Sequence, residues 1–149
     1  ISQKAKYALR ALVALARVEP PDETRMISEI AEEQSIPKKF LEQILLDLKH
    51  HGIVVSRRGK SGGYLLLRPA EHVTFGEVLR IIDGPIAPLP CLSRMAYRRC
   101  QDCASEESCE IRRVFARVAA ATREVLDRTT IADCIRADGD RLPLQVANP

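Results

Sequence analysis

Residues 38–68 read Lys38-Lys39-Phe40-Leu41-Glu42-Gln43-Ile44-Leu45-Leu46-Asp47-Leu48-Lys49-His50-His51-Gly52-Ile53-Val54-Val55-Ser56-Arg57-Arg58-Gly59-Lys60-Ser61-Gly62-Gly63-Tyr64-Leu65-Leu66-Leu67-Arg68. The apolar period changes partway along. Phe40, Leu41, Ile44, Leu45 and Leu48 recur at helical spacing and predict an inward stripe, which Gly52 ends as the C′ residue. Residues 53–56 and 64–67 are then short aliphatic runs on either side of 57–63, where three glycines and three basic residues mark a hairpin tip. Pro69 closes the second run. The stretch therefore predicts one helix followed by a basic β-hairpin.

Working upstream, a short helix is expected over about 27–34, with Ile27, Ile30 and Ala31 on its apolar face. The turn Ser35-Ile36-Pro37 joins it to the helix already described, and Pro37 suits that helix's first turn, where no N–H is needed. Two helices joined by so short a turn are a helix-turn-helix candidate, and a basic hairpin directly after one is a wing. A first helix is expected over 2–18, with Ser2 as cap and Tyr7, Ala8, Ala11, Leu12, Leu15 and Ala16 facing inward.

Downstream, Thr74 caps a helix over 75–83 that Gly84 ends. Pro85, Pro88 and Pro90 stiffen an irregular loop. A long helix is expected over 106–128, with Ile111, Val114, Phe115, Val118, Thr122, Val125 and Leu126 on one stripe. Thr130-Ile131-Ala132-Asp133 resembles a capping box opening a last short helix. The expected fold is mainly α with a small β-hairpin: a winged helix-turn-helix over 1–84, a cysteine-rich sensor loop over 85–105, a dimerisation helix and short terminal helix over 106–137, and a tail over 138–149. A 23-residue helix would be about 34 Å long, more than so small a domain covers alone, so pairing with a second copy is expected.

The net charge of +3 is modest, but its distribution is not. Residues 38–68 carry seven basic side chains against two acidic ones, whereas 69–149 hold eleven basic and twelve acidic. Such a focus suits phosphate contacts, because each bound Lys or Arg releases condensed counterions. Lys38, Lys39, Glu42, Gln43 and Lys49 project away from the apolar stripe, the first four from the helix half that enters a major groove in helix-turn-helix docking. Gln can bond adenine, Glu can accept from cytosine, and Lys can serve guanine or phosphate. In the wing, Arg57, Arg58 and Lys60 are candidates for the minor groove or phosphates, and Ser61, Gly62 and Gly63 for neutral phosphate contacts. The expected partner is a palindromic double-stranded DNA operator. An ordinary solvated helix face and a plain hairpin are the rival readings.

Four of the five cysteines fall close together, as Cys91-x8-Cys100-x2-Cys103-x5-Cys109. In a cytoplasmic protein that clustering reads as metal-binding or redox-active before it reads as disulfides. Thiolates suit iron and zinc alike. The spacing is neither the paired CxxC of a zinc ribbon nor the tight run of a ferredoxin. An iron–sulfur cluster (4Fe–4S or 2Fe–2S) leads, with zinc and thiol redox sensing as alternatives. Arg94, Arg98 and Arg99 are expected to depress the thiol pKa values. Cys134, between Ile131 and Ile135, reads as a small buried hydrophobe.

Ser2-Gln3-Lys4-Ala5-Lys6-Tyr7-Ala8-Leu9-Arg10, Phe40-Leu41-Glu42-Gln43-Ile44 and Arg58-Gly59-Lys60-Ser61-Gly62-Gly63-Tyr64-Leu65 together resemble the Rrf2 family of winged-helix regulators, over about residues 1–137. The resemblance implies a homodimer whose long helices cross, with each cluster loop near the partner's first helix. Cluster-binding members carry three loop cysteines, commonly five residues apart. Cys103-x5-Cys109 looks like the last pair, and Cys91 stands where the first belongs. The fourth ligand differs between branches of the family. Where one branch has a His three residues after the last cysteine, this chain has Arg112. Where another has an Asp in the first helix, it has Lys6. Cys100 is then the candidate fourth ligand. Glu42 matches a residue that tunes operator choice within the family.

No apolar run approaches the roughly 18 residues of a membrane span, and no signal-peptide pattern opens the chain, so a soluble cytoplasmic protein is expected. No P-loop spacing or Ser–His–Asp arrangement is present. The chain reads as a regulator rather than an enzyme. A small electron-transfer or redox enzyme is the remaining alternative, and it leaves the basic focus unexplained.

Overall fold

A computed structural model describes residues 1–136. The expected tail over 138–149 lies outside the described residues. The chain runs α1 (Gln3–Ala16), α2 (Ile27–Glu33), α3 (Lys38–His50), β1 (Val54–Arg57), β2 (Gly63–Leu66), α4 (Phe75–Asp83), α5 (Glu110–Arg128) and α6 (Ile131–Arg136), with single 3-10 turns at Ala70–His72 and Pro90–Leu92.

Local chemistry sets most boundaries. Ser2 caps α1 by accepting from Ala5 N–H at 3.0 Å, and Asp83 in turn accepts from the backbone N–H and the hydroxyl of Ser2. Thr74 caps α4 through Glu77 N–H at 3.2 Å. Thr130 and Asp133 cap each other's backbone N–H groups at 3.1 and 2.9 Å, the reciprocal box expected from the sequence. Gly52 follows α3 at φ +69°, the left-handed conformation a helix stop favours. Pro37 is the cap of α3, one position before the first turn.

The core lies where α1 packs on α3, α4 and α6. Leu12, Ile30, Leu41, Ile44, Leu45, Leu48, Ile53, Val78 and Ile131 are fully buried there, and α1 contributes Ala5, Ala8 and Ala11, whose small side chains permit close helix approach. Phe40 departs from the expected inward stripe. It is 39% exposed and meets Tyr7 edge-on at 5.8 Å, at the rim of the core. Cys134 is half-buried rather than buried, because only Ile131 and Ala132 of α6 face inward.

β1 and β2 pair antiparallel, from Val54 opposite Leu66 to Arg57 opposite Gly63. An unexpected third segment joins this hairpin. Arg25 N–H donates to the Tyr64 carbonyl and Tyr64 N–H to the Arg25 carbonyl, both at 2.8 Å.

The largest difference from expectation is the start of α5. Residues 106–109 belong to the preceding loop, and Cys109 is the cap. The 19-residue helix is thus about 28 Å long rather than 34 Å. Its C-terminal end is sewn to α4. Phe75 N–H reaches the Thr129 carbonyl, Ile131 N–H reaches the Val73 carbonyl (both 2.9 Å), and Arg80 pairs with Asp127 at 2.7 Å. Its apolar stripe mostly faces outward in the single chain. Ile111, Val114, Val118 and Val125 are 46–63% exposed, and Ala119 is the one buried residue of the helix.

Candidate functional site

Two sites emerge, a basic surface on α3 and the hairpin, and a cysteine-lined cavity beside the N-terminus of α5.

On the first surface, Lys38, Lys39, Glu42, Gln43 and Lys49 all lie on the exposed side of α3, opposite Leu41, Ile44, Leu45 and Leu48. Among them Lys38, Lys39 and Glu42 make no hydrogen bond or ion pair among the described residues. Gln43 and Lys49 are engaged. Gln43 Nε2 donates to Asp47 Oδ1 at 3.2 Å, and Asp47 Oδ2 accepts from Lys4 Nζ of α1 at 2.7 Å. Lys49 Nζ donates to Ser56 Oγ at 2.7 Å and so links α3 to β1. The Lys4 hydrogen bond holds the Asp47 carboxyl below the usual Asp range, although burial works against it.

At the hairpin, Arg58 and Lys60 are exposed and without partners among the described residues. Arg57 Nη1 instead donates to the Asp22 carbonyl at 3.1 Å, and the Ser61 carbonyl accepts from Thr24 Oγ1 at 2.8 Å. Gly62 and Gly63 are close-packed against backbone. A Cβ on Gly63 would stand 2.5 Å from the Arg25 carbonyl oxygen. Arg25 further pairs with Glu33 at 2.7 Å and Glu29 at 3.8 Å, tying the hairpin to α2. Sequence reasoning missed Thr24 and Arg25, since a strand this short shows no alternation to read.

The second site is a cavity of about 790 Å³ whose lining includes Cys91, Cys100, Cys103 and Cys109. Cys91 is buried in the 3-10 turn, and the other three are half-buried. Cys103 Sγ donates to Cys109 Sγ at 3.5 Å, and Cys109 Sγ also accepts from Arg112 N–H at 3.4 Å. These contacts split the two thiols. Cys109 is lowered from its ordinary value, first by the Arg112 N–H at the helix start and then by the Cys103 thiol. Cys103 is pushed up to about 12, because it holds its proton toward Cys109 and Cys100. The expected influence of Arg94, Arg98 and Arg99 is therefore corrected. The helix N-terminus lowers Cys109, and no arginine keeps Cys103 from rising. Arg98 and Arg99 do line the cavity, together with Arg112.

Arg112, Glu106 and Tyr97 were not anticipated as site residues. Tyr97 O–H donates to Glu106 at 2.6 Å, and Glu106 pairs with Arg112 at 3.5 Å. The signal was hidden because 106–109 read as the first turn of the long helix. Arg112 Nε is buried without an acceptor, a donor left over beside the thiols.

The donor set suits a thiolate-ligated group: four sulfurs around one cavity, three cationic side chains to offset negative charge, and an unpaired buried donor. Among the described residues, no three His, Cys, Asp or Glu side chains converge closely enough to hold a metal ion. The four sulfurs would have to draw closer together to complete a site. No helix among the described residues is long and apolar enough to cross a membrane.

Comparison with known proteins agrees with this architecture. The family described as "Rrf2: Iron-dependent Transcriptional regulator" matches residues 1–137. A protein of Rhodobacter capsulatus named as an rrf2-like HTH-type transcriptional regulator is 50% identical over 139 residues, covering 92% of this chain and 93% of that one. The HTH-type transcriptional regulator CymR of Bacillus subtilis is 32% identical over 133 residues, covering 89% and 87%. The solved structure of that CymR, titled the global cysteine regulator, superposes with a TM-score of 0.76 at 29% identity, covering 91% of this chain and 95% of that one. IscR of T. potens has the same fold, with a TM-score of 0.70 at 24% identity, covering 95% and 90%. These relatives are regulators, which disposes of the redox-enzyme alternative. The chain belongs to the Rrf2 family of DNA-binding transcriptional regulators.

Proposed function

We infer that the protein is a homodimeric, cytoplasmic regulator that binds a palindromic operator through α3 and the hairpin, and that its cysteine loop senses through an iron–sulfur cluster. The observation that carries the sensing half is the single cavity shared by all four loop cysteines. Cys91, Cys100, Cys103 and Cys109 would hold the group, which supplies redox and ligand-exchange chemistry when bound. Arg98, Arg99 and Arg112 would offset its charge, and the buried Arg112 Nε, which has no partner among the described residues, would be a donor of the kind that tunes such centres. The family description, iron-dependent transcriptional regulator, supports the same reading.

The DNA half rests on Lys38, Lys39, Glu42, Arg58 and Lys60, exposed and free to meet bases or phosphates. Gln43 and Lys49 are already oriented by Asp47 and Ser56. At the hairpin tip Ser61 and Gly63 remain candidate phosphate contacts, whereas the expected contact through Gly62 is corrected, because its N–H is committed to the Gly59 carbonyl at 2.9 Å. Arg57 acts from its tie to Asp22 as a brace, or as a phosphate contact once released. The outward apolar face of α5 supports dimerisation, and a twofold dimer matches a twofold operator.

A zinc site is the second reading. The 3.5 Å sulfur separation also suits two thiolates on one zinc, whose bonds of about 2.3 Å place sulfurs about 3.8 Å apart. Anaerobic purification with iron, sulfide and zinc analysis decides between them. A coloured protein carrying iron and sulfide, lost in Cys103→Ala and Cys109→Ala, is the expected result. Colourless protein with stoichiometric zinc overturns the cluster in favour of zinc.

A further inference from the structure

Cys103 and Cys109 do more than line the cavity together. Their sulfurs are already in hydrogen-bond contact at 3.5 Å, across a loop that ends at the first turn of α5. A disulfide needs about 2.05 Å, so the pair must close by about 1.5 Å, which side-chain rotation and a small loop shift can supply. Both thiols are half-buried on an open wall of the cavity, within reach of a small oxidant.

We propose that, in protein carrying no metal or cluster, Cys103 and Cys109 form a peroxide-driven dithiol–disulfide switch that reports directly on the start of α5. The proposal rests on reading this loop as the sensing element and adds a second chemistry for the same sulfurs. One sulfur attacks the O–O bond of hydrogen peroxide and becomes a sulfenic acid, releasing water. The other sulfur then attacks it, the S–S bond forms, and a second water leaves. The two sulfurs together give up two electrons, the peroxide is reduced to two waters, and the two thiol protons end in those waters.

The bond has two consequences. It withdraws two of the four cavity thiols from any metal, so an oxidised chain resists loading until it is reduced. It also changes the cap of α5. Cys109 Sγ accepts from Arg112 N–H, and a disulfide sulfur accepts more weakly than a thiol or thiolate. The turn that loosens begins the exposed apolar face at Ile111, Val114 and Phe115. Oxidation is thereby coupled to the surface assigned to dimerisation.

The test uses the full-length reduced, metal-free protein treated with one equivalent of hydrogen peroxide. The five free thiols should fall by two, with a loss of about 2 Da per chain. Cleavage before Asp102 and after Glu107 separates Cys100, Cys103 and Cys109, and the fragments carrying Cys103 and Cys109 should remain joined until reduced. Cys100→Ser should still form the bond, and Cys103→Ser and Cys109→Ser should not. A bond from Cys100 to Cys103, a bond between chains, or sulfinic acid at Cys109 without a crosslink overturns the proposal. Iron loading of the reduced protein is measured in parallel. A chain that loads iron but forms no bond removes the switch and keeps the cluster. A chain that forms the bond but never loads iron does the reverse.

Discussion

At Gly63 the backbone takes φ +154°, and a Cβ would stand 2.5 Å from the Arg25 carbonyl oxygen. Neither conflict relaxes by moving a flexible side chain, because the obstacle is backbone. Gly63→Ala should therefore cost about 1–3 kcal/mol and detach the hairpin from residues 24–26. Urea denaturation reads the first effect and DNA affinity the second. Asp47 is the other single residue on which much turns, since it accepts from both Lys4 and Gln43. Its carboxyl ionises below the ordinary value of 3.8, so its contribution is fully present above that value and lost as pH falls through the lowered one. Asp47→Asn should cost about 0.5–1 kcal/mol at pH 7, with the gap to wild type closing as pH falls below the ordinary Asp range. Asp47→Ala, which removes the acceptor altogether, frees Gln43 and should alter base preference, measured by selection from random duplexes.

At the scale of the element, the hairpin and α5 separate what sequence reveals from what it hides. The helix-turn-helix was legible because its signals are local: the stripe from Leu41 to Leu48, the Gly52 stop, and the glycines between two aliphatic runs. The third segment of the hairpin was not, because Arg25 and Tyr64 are distant in sequence and pair only through backbone. The start of α5 was misplaced because 106–109 hold no Gly or Pro to break the pattern, and a cysteine cap is outside the usual Ser, Thr, Asp and Asn set. The thiol cavity was foreseeable as a cluster of cysteines, but its Arg112–Glu106–Tyr97 rim depends on that misplaced boundary. Two outcomes belong to these elements. Arg58→Ala and Lys60→Ala should each lower the salt slope of DNA binding by about 1 with little change in sequence preference, as phosphate contacts do. Val118→Glu, on the exposed face of α5, should halve the mass seen by sedimentation and weaken operator binding, while the single-chain core stays folded by circular dichroism.

At the scale of the molecule, the two sites lie at opposite ends of one mechanical path. The cysteine cavity abuts the N-terminal end of α5, the far end of α5 is stitched to α4 by Thr129, Ile131 and Asp127, and α4 packs on α3. A change at the cavity that reorients α5 in a dimer changes the spacing of the two α3 helices, which is what a palindromic operator measures. Such coupling is a shift between two states, and it requires the loaded and empty loops to stabilise them unequally. The decisive measurement is DNA affinity at fixed salt, by fluorescence anisotropy on a selected duplex, for anaerobically loaded protein and the same sample after cluster removal. The account predicts an affinity difference of about tenfold or more, corresponding to roughly 1.4 kcal/mol of coupling. Equal affinity of the two forms, in protein shown to hold iron and sulfide, would contradict it.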